Sequence, residues 1–244
     1  MARFFTAGSN ILGGIAYINA EDQEHIKVLR IGRGETVTVC DGEGNDYTCV
    51  IKPDGHGGVQ AEVLDKSPST GEPDVQCSVF AAFSKGERMD YTVQKAVELG
   101  AHSIYLFPCA RCVAKYDGAA LVKKVARWQR IAEEAAKQAG RGRIPEVTAL
   151  PNFAAVLELA SRSELPIFMY ELERSLSIKE AIASAPGAKT VSLVSGPEGG
   201  FEEEEAQKAV QAGLISVSLG PRILRCETAP AAALACVMFA TGNM

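Results

Sequence analysis

The sequence predicts an α/β fold: a parallel β-sheet covered by helices, preceded by a small β-barrel-like domain. Two observations carry this. From Val75 onward, short apolar or β-branched runs alternate with helix-forming stretches, the rhythm of parallel strands joined by helical crossovers. Residues 1–70 instead read as strand-rich, with strong turn chemistry. Between the two, Lys66-Ser-Pro-Ser-Thr-Gly-Glu-Pro73 concentrates Pro, Ser and Gly, the composition of a linker. The expected division is therefore a domain over 1–70 and a second over 74–244.

In the first segment a short helix is expected over 21–29, ending at Arg30-Ile31-Gly32. Glu35-Thr-Val-Thr-Val-Cys40 and Asp46-Tyr-Thr-Cys-Val-Ile51 alternate in polarity. Asp41-Gly-Glu-Gly-Asn45 joins them, which signals a hairpin. A third strand is expected over 59–64. In the second segment strands are expected over 75–83, 103–107, near Val147, and over 166–170, 190–195 and 215–219. Helices are expected over 89–99, closed by Gly100, and over 119–139, 153–161, 178–185, 202–212 and 228–240.

Composition removes several classes of function. A formal net charge of -5 argues against a coat of positive charge for nonspecific nucleic-acid binding, so any basic face must be local. No run of about 18 apolar residues is present to span a bilayer, and the N-terminal residues reach Gly8, Ser9 and Asn10 before a signal-like apolar core could form. A cytoplasmic protein is expected. The seven cysteines are odd in number and scattered, unlike a disulfide framework. Cys109-Ala-Arg-Cys112 has metal or redox spacing, but no second such pair completes a four-ligand site, and no metal is expected. His25, His56 and His102 lack ligand spacing and read as surface or packing residues.

The chemistry concentrates near the C-terminus. Gly196-Pro197-Glu198-Gly199-Gly200 follows one expected strand, and Leu219-Gly220-Pro221-Arg222-Ile223-Leu224-Arg225-Cys226-Glu227-Thr228-Ala229 follows another. Carboxyl ends of strands form the ligand crevice of open α/β sheets, and glycine there admits close approach of main chain to a ligand. The alternative is a tight strand-to-helix connection. Neither a phosphate-binding Gly-Lys-Ser/Thr loop nor a dinucleotide GxGxxG is present. Leu219, Ile223 and Leu224 are apolar enough to wall a pocket for an adenine ring. Arg225 and Glu227 could instead form a surface ion pair, worth under about 1 kcal/mol. Cys226 invites a nucleophile reading, yet no histidine lies near it in sequence, and a cysteine beside a packed helix is more often structural.

GPEGGF at 196–201 with Glu205, and LGPRILRCETA at 219–229, resemble the paired signature of the RsmE family. These are the bacterial small-subunit ribosomal RNA uridine-N3 methyltransferases of the SPOUT superfamily. Further matches include His25 with Val28-Leu29-Arg30 and Gly32, Lys85-Gly-Glu-Arg88, Gln94-Lys95 with Glu98-Leu99-Gly100, and Arg127-Trp128 followed by Ala135, Gln138, Arg141 and Pro145. Cys226 departs from a threonine common in the family.

The resemblance implies a PUA-like N-terminal barrel that binds RNA and a SPOUT-type, trefoil-knotted C-terminal methyltransferase domain. It also implies S-adenosylmethionine as methyl donor and a homodimer acting on ribosomal RNA within the small subunit. Cofactor contacts are implied for Met169, for Gly196, Pro197, Glu198, Gly199 and Gly200, and for Leu219, Gly220, Ile223, Leu224 and Arg225. Transfer to uridine N3 needs alignment, loss of the imide proton and stabilisation of negative charge on uracil. Arg225 is the candidate cation. Glu227 is the candidate proton acceptor, with an N-cap role for the last helix as its alternative. Arg3, Arg30, Lys85, Arg88 and Arg222 are the expected RNA contacts, with Lys27, Arg33, Arg127, Arg141 and Arg143 also available to phosphates. The competing functions are methylation of another RNA position and a noncatalytic RNA-binding role in ribosome assembly.

Overall fold

Residues 2–55, 58–116 and 118–244 are described by the computed structural model, so His56 lies outside them. They fall into two units, Met1–Glu72 with Ala136–Ile144, and Pro73–Ala135 with Pro145–Met244. In the first unit, three short strands that periodicity does not reveal come first: β1 (Arg3–Phe5), β2 (Ile11–Leu12) and β3 (Ile15–Tyr17). They are followed by α1 (Ala20–Val28), β4 (Thr36–Cys40), β5 (Asn45–Pro53) and β6 (Val59–Pro68).

The six strands form one sheet in the order β1-β4-β5-β6-β3-β2. Its organising hairpin is β4–β5, antiparallel with Thr38 opposite Thr48. The Asp41 carboxylate accepts the N–H groups of Glu43 and Asn45 at 2.8 and 3.1 Å, and Gly42 and Gly44 take positive φ, which is why this five-residue sequence turns. The core is apolar, with Phe4, Ile26, Val37, Val39, Cys49 and Ile51 buried together. Asn19 starts α1 by accepting the Asp22 N–H at 2.7 Å.

The expected linker over 66–73 needs correction. β6 continues to Pro68, pairing Lys66 with Tyr47, Ser67 with Asp46 and Pro68 with Asn45. Proline is tolerated there because it ends the strand and gives up no interior ladder donor.

The second unit contains β7 (Gln76–Ala82), α2 (Arg88–Glu98), β8 (Ser103–Phe107), α3 (Gly118–Ala139) up to Ala135, the rest of that helix belonging to the first unit, β9 (Glu146–Ala149) and α4 (Phe153–Ala160). It continues with β10 (Leu165–Met169), α5 (Ile178–Ser184), β11 (Thr190–Ser195), α6 (Glu203–Gln211), β12 (Ile215–Val217) and α7 (Thr228–Ala240). The sheet order is β12-β10-β11-β7-β8-β9, and every pairing is parallel. All of β10 and nearly all of β11 is buried, as a sheet covered on both faces requires. β12 stops at Val217, short of the expected 219; Ser218 makes only an isolated parallel bridge to Ser177.

Phe201 fixes the exit from β11. It is fully buried, its ring lies 4.5 Å from that of Phe168 and 5.5 Å from that of Phe153, and a Cβ on Gly196 would sit 3.0 Å from its edge. The adjoining helix is held by a reciprocal cap: the Glu202 carboxylate accepts the Glu205 N–H and the Glu205 carboxylate accepts the Glu202 N–H. Phe201→Ala is therefore expected to destabilise the chain by roughly 3–5 kcal/mol in urea unfolding, the usual range for emptying such a site. A loss below about 1 kcal/mol would mean that the aromatic cluster does not hold this segment.

Candidate functional site

Three loops leave the carboxyl ends of the adjacent strands β11, β10 and β12 and surround one cavity of about 440 Å³. Its walls come from Met169 to Glu171 after β10, Ser195 to Gly200 after β11, and Val217 to Gly220 with Arg222 to Glu227 after β12. Arg88, Arg174 and Ala229 complete the lining. The structure thus brings together Met169, the five residues of the Gly196 to Gly200 loop, Leu219, Gly220, Arg222, Ile223, Leu224, Arg225 and Glu227. Glu171, Arg174 and Ser218 also line it and went unread in the sequence. They carry no motif, and only their place after a strand end could have signalled them.

The glycines of the first loop answer neighbours within the chain. A Cβ on Gly199 would press on Arg111 Cβ at 3.1 Å, and Arg111 donates to the Gly199 carbonyl at 3.2 Å. Gly200 has φ +68°, donates its N–H to the Pro197 carbonyl at 3.0 Å, and would meet the Glu171 carboxylate with any side chain. Gly220 differs: its φ is +103° and nothing lies within 4 Å of where its Cβ would stand. Room for a ligand beside a glycine is therefore found at Gly220, while Gly196, Gly199 and Gly200 shape the loop.

Arg88, Glu198 and Glu227 meet at the cavity wall. Arg88, at the start of α2, donates to Glu198 Oε1 at 2.6 Å, and the Lys85 N–H donates to the same oxygen at 2.9 Å. Burial raises the Glu198 carboxyl, but these donors together outweigh it and hold the group below the ordinary carboxylate range. Glu227 Oε2 lies 3.8 Å from Arg88 Nε and accepts the Cys226 thiol at 3.2 Å.

Three alternative readings of this segment fail here. Glu227 occupies the N-cap position of α7 but its side chain caps nothing; the first N–H groups of the helix go to the Arg225 carbonyl. The carboxylate pairs with Arg88, and among the described residues no Arg225–Glu227 ion pair forms. The nucleophile reading of Cys226 also fails on electrostatics, since burial and the neighbouring Glu227 push its thiol up to about 12 and keep it protonated.

The remaining expected residues divide by exposure. Arg222 and Arg225 are exposed at the cavity, Lys85 is exposed beside it, and Arg30 is exposed in the first unit. Arg3 is not available as a phosphate contact needs: both guanidinium ends donate to Asp46 at 2.8 Å, and its side chain is 15% exposed. Arg141 is buried against Glu72. Arg127 pairs with Asp90, which also accepts the Trp128 indole N–H. Cys109 and Cys112 approach to 3.4 Å between sulfurs, and among the described residues no group of three potential metal ligands occurs. His25 meets the Phe4 ring edge-on, and His102 Nδ1 lies 3.0 Å from the Ser103 hydroxyl. No helix among the described residues is long and apolar enough to cross a membrane.

A family model for an RNA methyltransferase domain matches residues 71–238, and one for an RNA methyltransferase PUA domain matches residues 18–64. The chain is 34% identical over 233 residues to ribosomal RNA small subunit methyltransferase E of Mycobacterium bovis, covering 92% of this chain and 86% of that protein. It is 31% identical over 229 residues to the protein of the same name from Bacillus subtilis, covering 92% and 90%. The chain belongs to the ribosomal RNA small subunit methyltransferase E family. A solved structure of ribosomal RNA small subunit methyltransferase E from Neisseria gonorrhoeae, bound to S-adenosyl methionine, superposes with a TM-score of 0.84 at 31% identity, covering 98% of this chain and 97% of that one. Membership of the ribosomal RNA small subunit methyltransferase E family makes the chain an RNA methyltransferase with an N-terminal PUA domain.

Proposed function

We propose that this chain methylates N3 of a uridine in small-subunit ribosomal RNA, with S-adenosylmethionine as methyl donor. The observation that carries the reading is the cavity built by three adjacent strand-end loops, in a chain whose relatives are named for small-subunit ribosomal RNA methylation. A volume of about 440 Å³ suits a nucleoside-sized ligand. Met169, Leu219, Ile223 and Leu224 give apolar walls, the loops at 196–200 and 218–220 give main-chain hydrogen-bonding groups, and Gly220 leaves room. When bound, the cofactor supplies a methyl group activated on a sulfonium.

The chain's own residues supply placement and charge. As the N3–H bond of uracil breaks, the proton passes to an acceptor, for which Glu227 is the candidate, and Arg225 stabilises the negative charge left on the ring. Arg222, Lys85 and Arg88 hold RNA near the cavity, and the first unit, with its exposed Arg30, recruits it. We place this activity in the cytoplasm. A homodimer is proposed because α7 leaves Cys236 and Phe239 outward, the latter 75% exposed on an otherwise apolar helix.

Mass spectrometry of nucleosides from small-subunit ribosomal RNA, in cells with and without the gene, is expected to show loss of 3-methyluridine. Loss of a different methylated nucleoside would overturn the N3 assignment, and no change would overturn the enzyme reading. Arg225→Ala is expected to lower single-turnover methylation roughly 100-fold, the range for a lost electrostatic stabiliser, with cofactor affinity nearly unchanged. Weakened RNA binding with the saturated rate intact would make Arg225 a phosphate anchor. In sedimentation at micromolar concentration the wild type is expected at twice its 25.9 kDa subunit mass, and Phe239→Asp at the subunit mass. A fully active wild-type monomer would remove the dimer.

A further inference from the structure

We infer that Glu198 is a positioning residue: it holds the Arg88 guanidinium at the cavity wall as a fixed cation that serves methyl transfer together with Glu227. This rests on the RNA-methyltransferase reading and deepens it, since it gives the glutamate of the Gly196 to Gly200 loop a role other than cofactor contact.

The sheet creates the juxtaposition. β7 and β11 pair in parallel, with Ala81 opposite Ser195, so the segment leading from β7 into α2 and the loop leaving β11 emerge side by side. Arg88 comes from the first and Glu198 from the second. The Arg88–Glu198 contact at 2.6 Å is the close one, and Glu198 Oε1 is also committed to the Lys85 N–H. Arg88 Nε then lies 3.8 Å from Glu227 Oε2. One guanidinium is thereby shared by two carboxylates, Glu198 as its anchor and Glu227 as the looser partner facing the cavity.

Arg225 provides the contrast. It is exposed, and among the described residues its side chain has no ion pair or hydrogen-bond partner. A long cation without an anchor must be ordered when substrate arrives, whereas one held in advance acts without that reorganisation. Arg88 keeps 38% of its side chain exposed, so the anchored guanidinium still presents donors to an incoming group. The low-lying carboxyl of Glu198 agrees with this geometry: it is kept ionised as the counter-charge of Arg88.

The test uses the full chain with Glu198→Gln, Arg88→Lys and the double variant. The first readout is the Arg88 Nη–H signals in nitrogen-15 NMR, because Nη1 is the atom that donates to Glu198; they are assigned by their loss in Arg88→Lys. Glu198→Gln is expected to speed exchange of the Nη1–H with water by about tenfold or more, because its charged hydrogen-bond partner is gone. Affinity for S-adenosylmethionine by calorimetry should stay within about threefold, while single-turnover methylation of small-subunit RNA from cells lacking the gene falls roughly 10- to 100-fold. In the Arg88→Lys background the Glu198→Gln effect should shrink to about twofold, as expected of residues acting as one unit. Unchanged Nη–H signals overturn the inference whatever the activity. Cofactor affinity weakened about tenfold with the saturated rate intact also overturns it, and makes Glu198 a cofactor ligand. If the wild type methylates no RNA, the functional reading fails, and the NMR signal still decides whether Glu198 positions Arg88.

Discussion

The in-register parallel pairing of β12, β10 and β11 is the constraint on which the site depends. Ile167 pairs with Leu193 on one side and with Ile215 on the other, so the carboxyl ends of the three strands lie side by side and their loops converge. A one-residue slip would turn side chains to opposite faces and separate the Met169, Ser195 and Val217 exits. Burial of β10 and β11 makes such a slip unfavourable, and Phe201 packed on Phe168 and against Gly196 extends the constraint into the first loop. Glu205 carries it further: one carboxylate oxygen closes the reciprocal cap of α6, and the other accepts the Ala110 N–H at 2.9 Å.

Charge is organised on this frame. The cavity wall holds Arg88, anchored on Glu198, Arg174, held by the Glu171 and Glu173 carbonyls, and the exposed Arg222 and Arg225, with Glu198 and Glu227 as counter-charges. Such a surface attracts a polyanion locally although the chain as a whole is acidic, because what an approaching phosphate meets is set within about 8–10 Å by screening. The arginines buried or paired elsewhere in the fold, Arg3 and Arg141, illustrate the other use of the residue: bidentate donors that satisfy carboxylates where two backbone segments meet.

How much could be read from residues alone follows from the reach of each signal. β8, β11 and α7 match the expected ranges to the residue, since each is a clean apolar or alanine-rich run bounded by polar or turn residues. β1, β2 and β3 escaped because strands of two or three residues have no period, and they are specified by partners distant in sequence. The tail of β6 escaped for a related reason: Asp65-Lys66-Ser67-Pro68 reads as a loop, and only pairing with β5 makes it strand. The two motif loops were legible as a site, but the local reasons for their glycines were not, since Arg111 and Glu171 come from segments remote in sequence. For the same reason the partner of Glu227 could not be read from the neighbouring Arg225.

Hydrogen exchange with and without S-adenosylmethionine tests the central claim most directly, because it maps contact without requiring the RNA to be known. The account predicts new protection in peptides covering 169–174, 195–201 and 217–227, the three strand-end loops, with peptides from 3–68 unchanged. Binding without protection in those loops, or protection confined to 3–68, would contradict it.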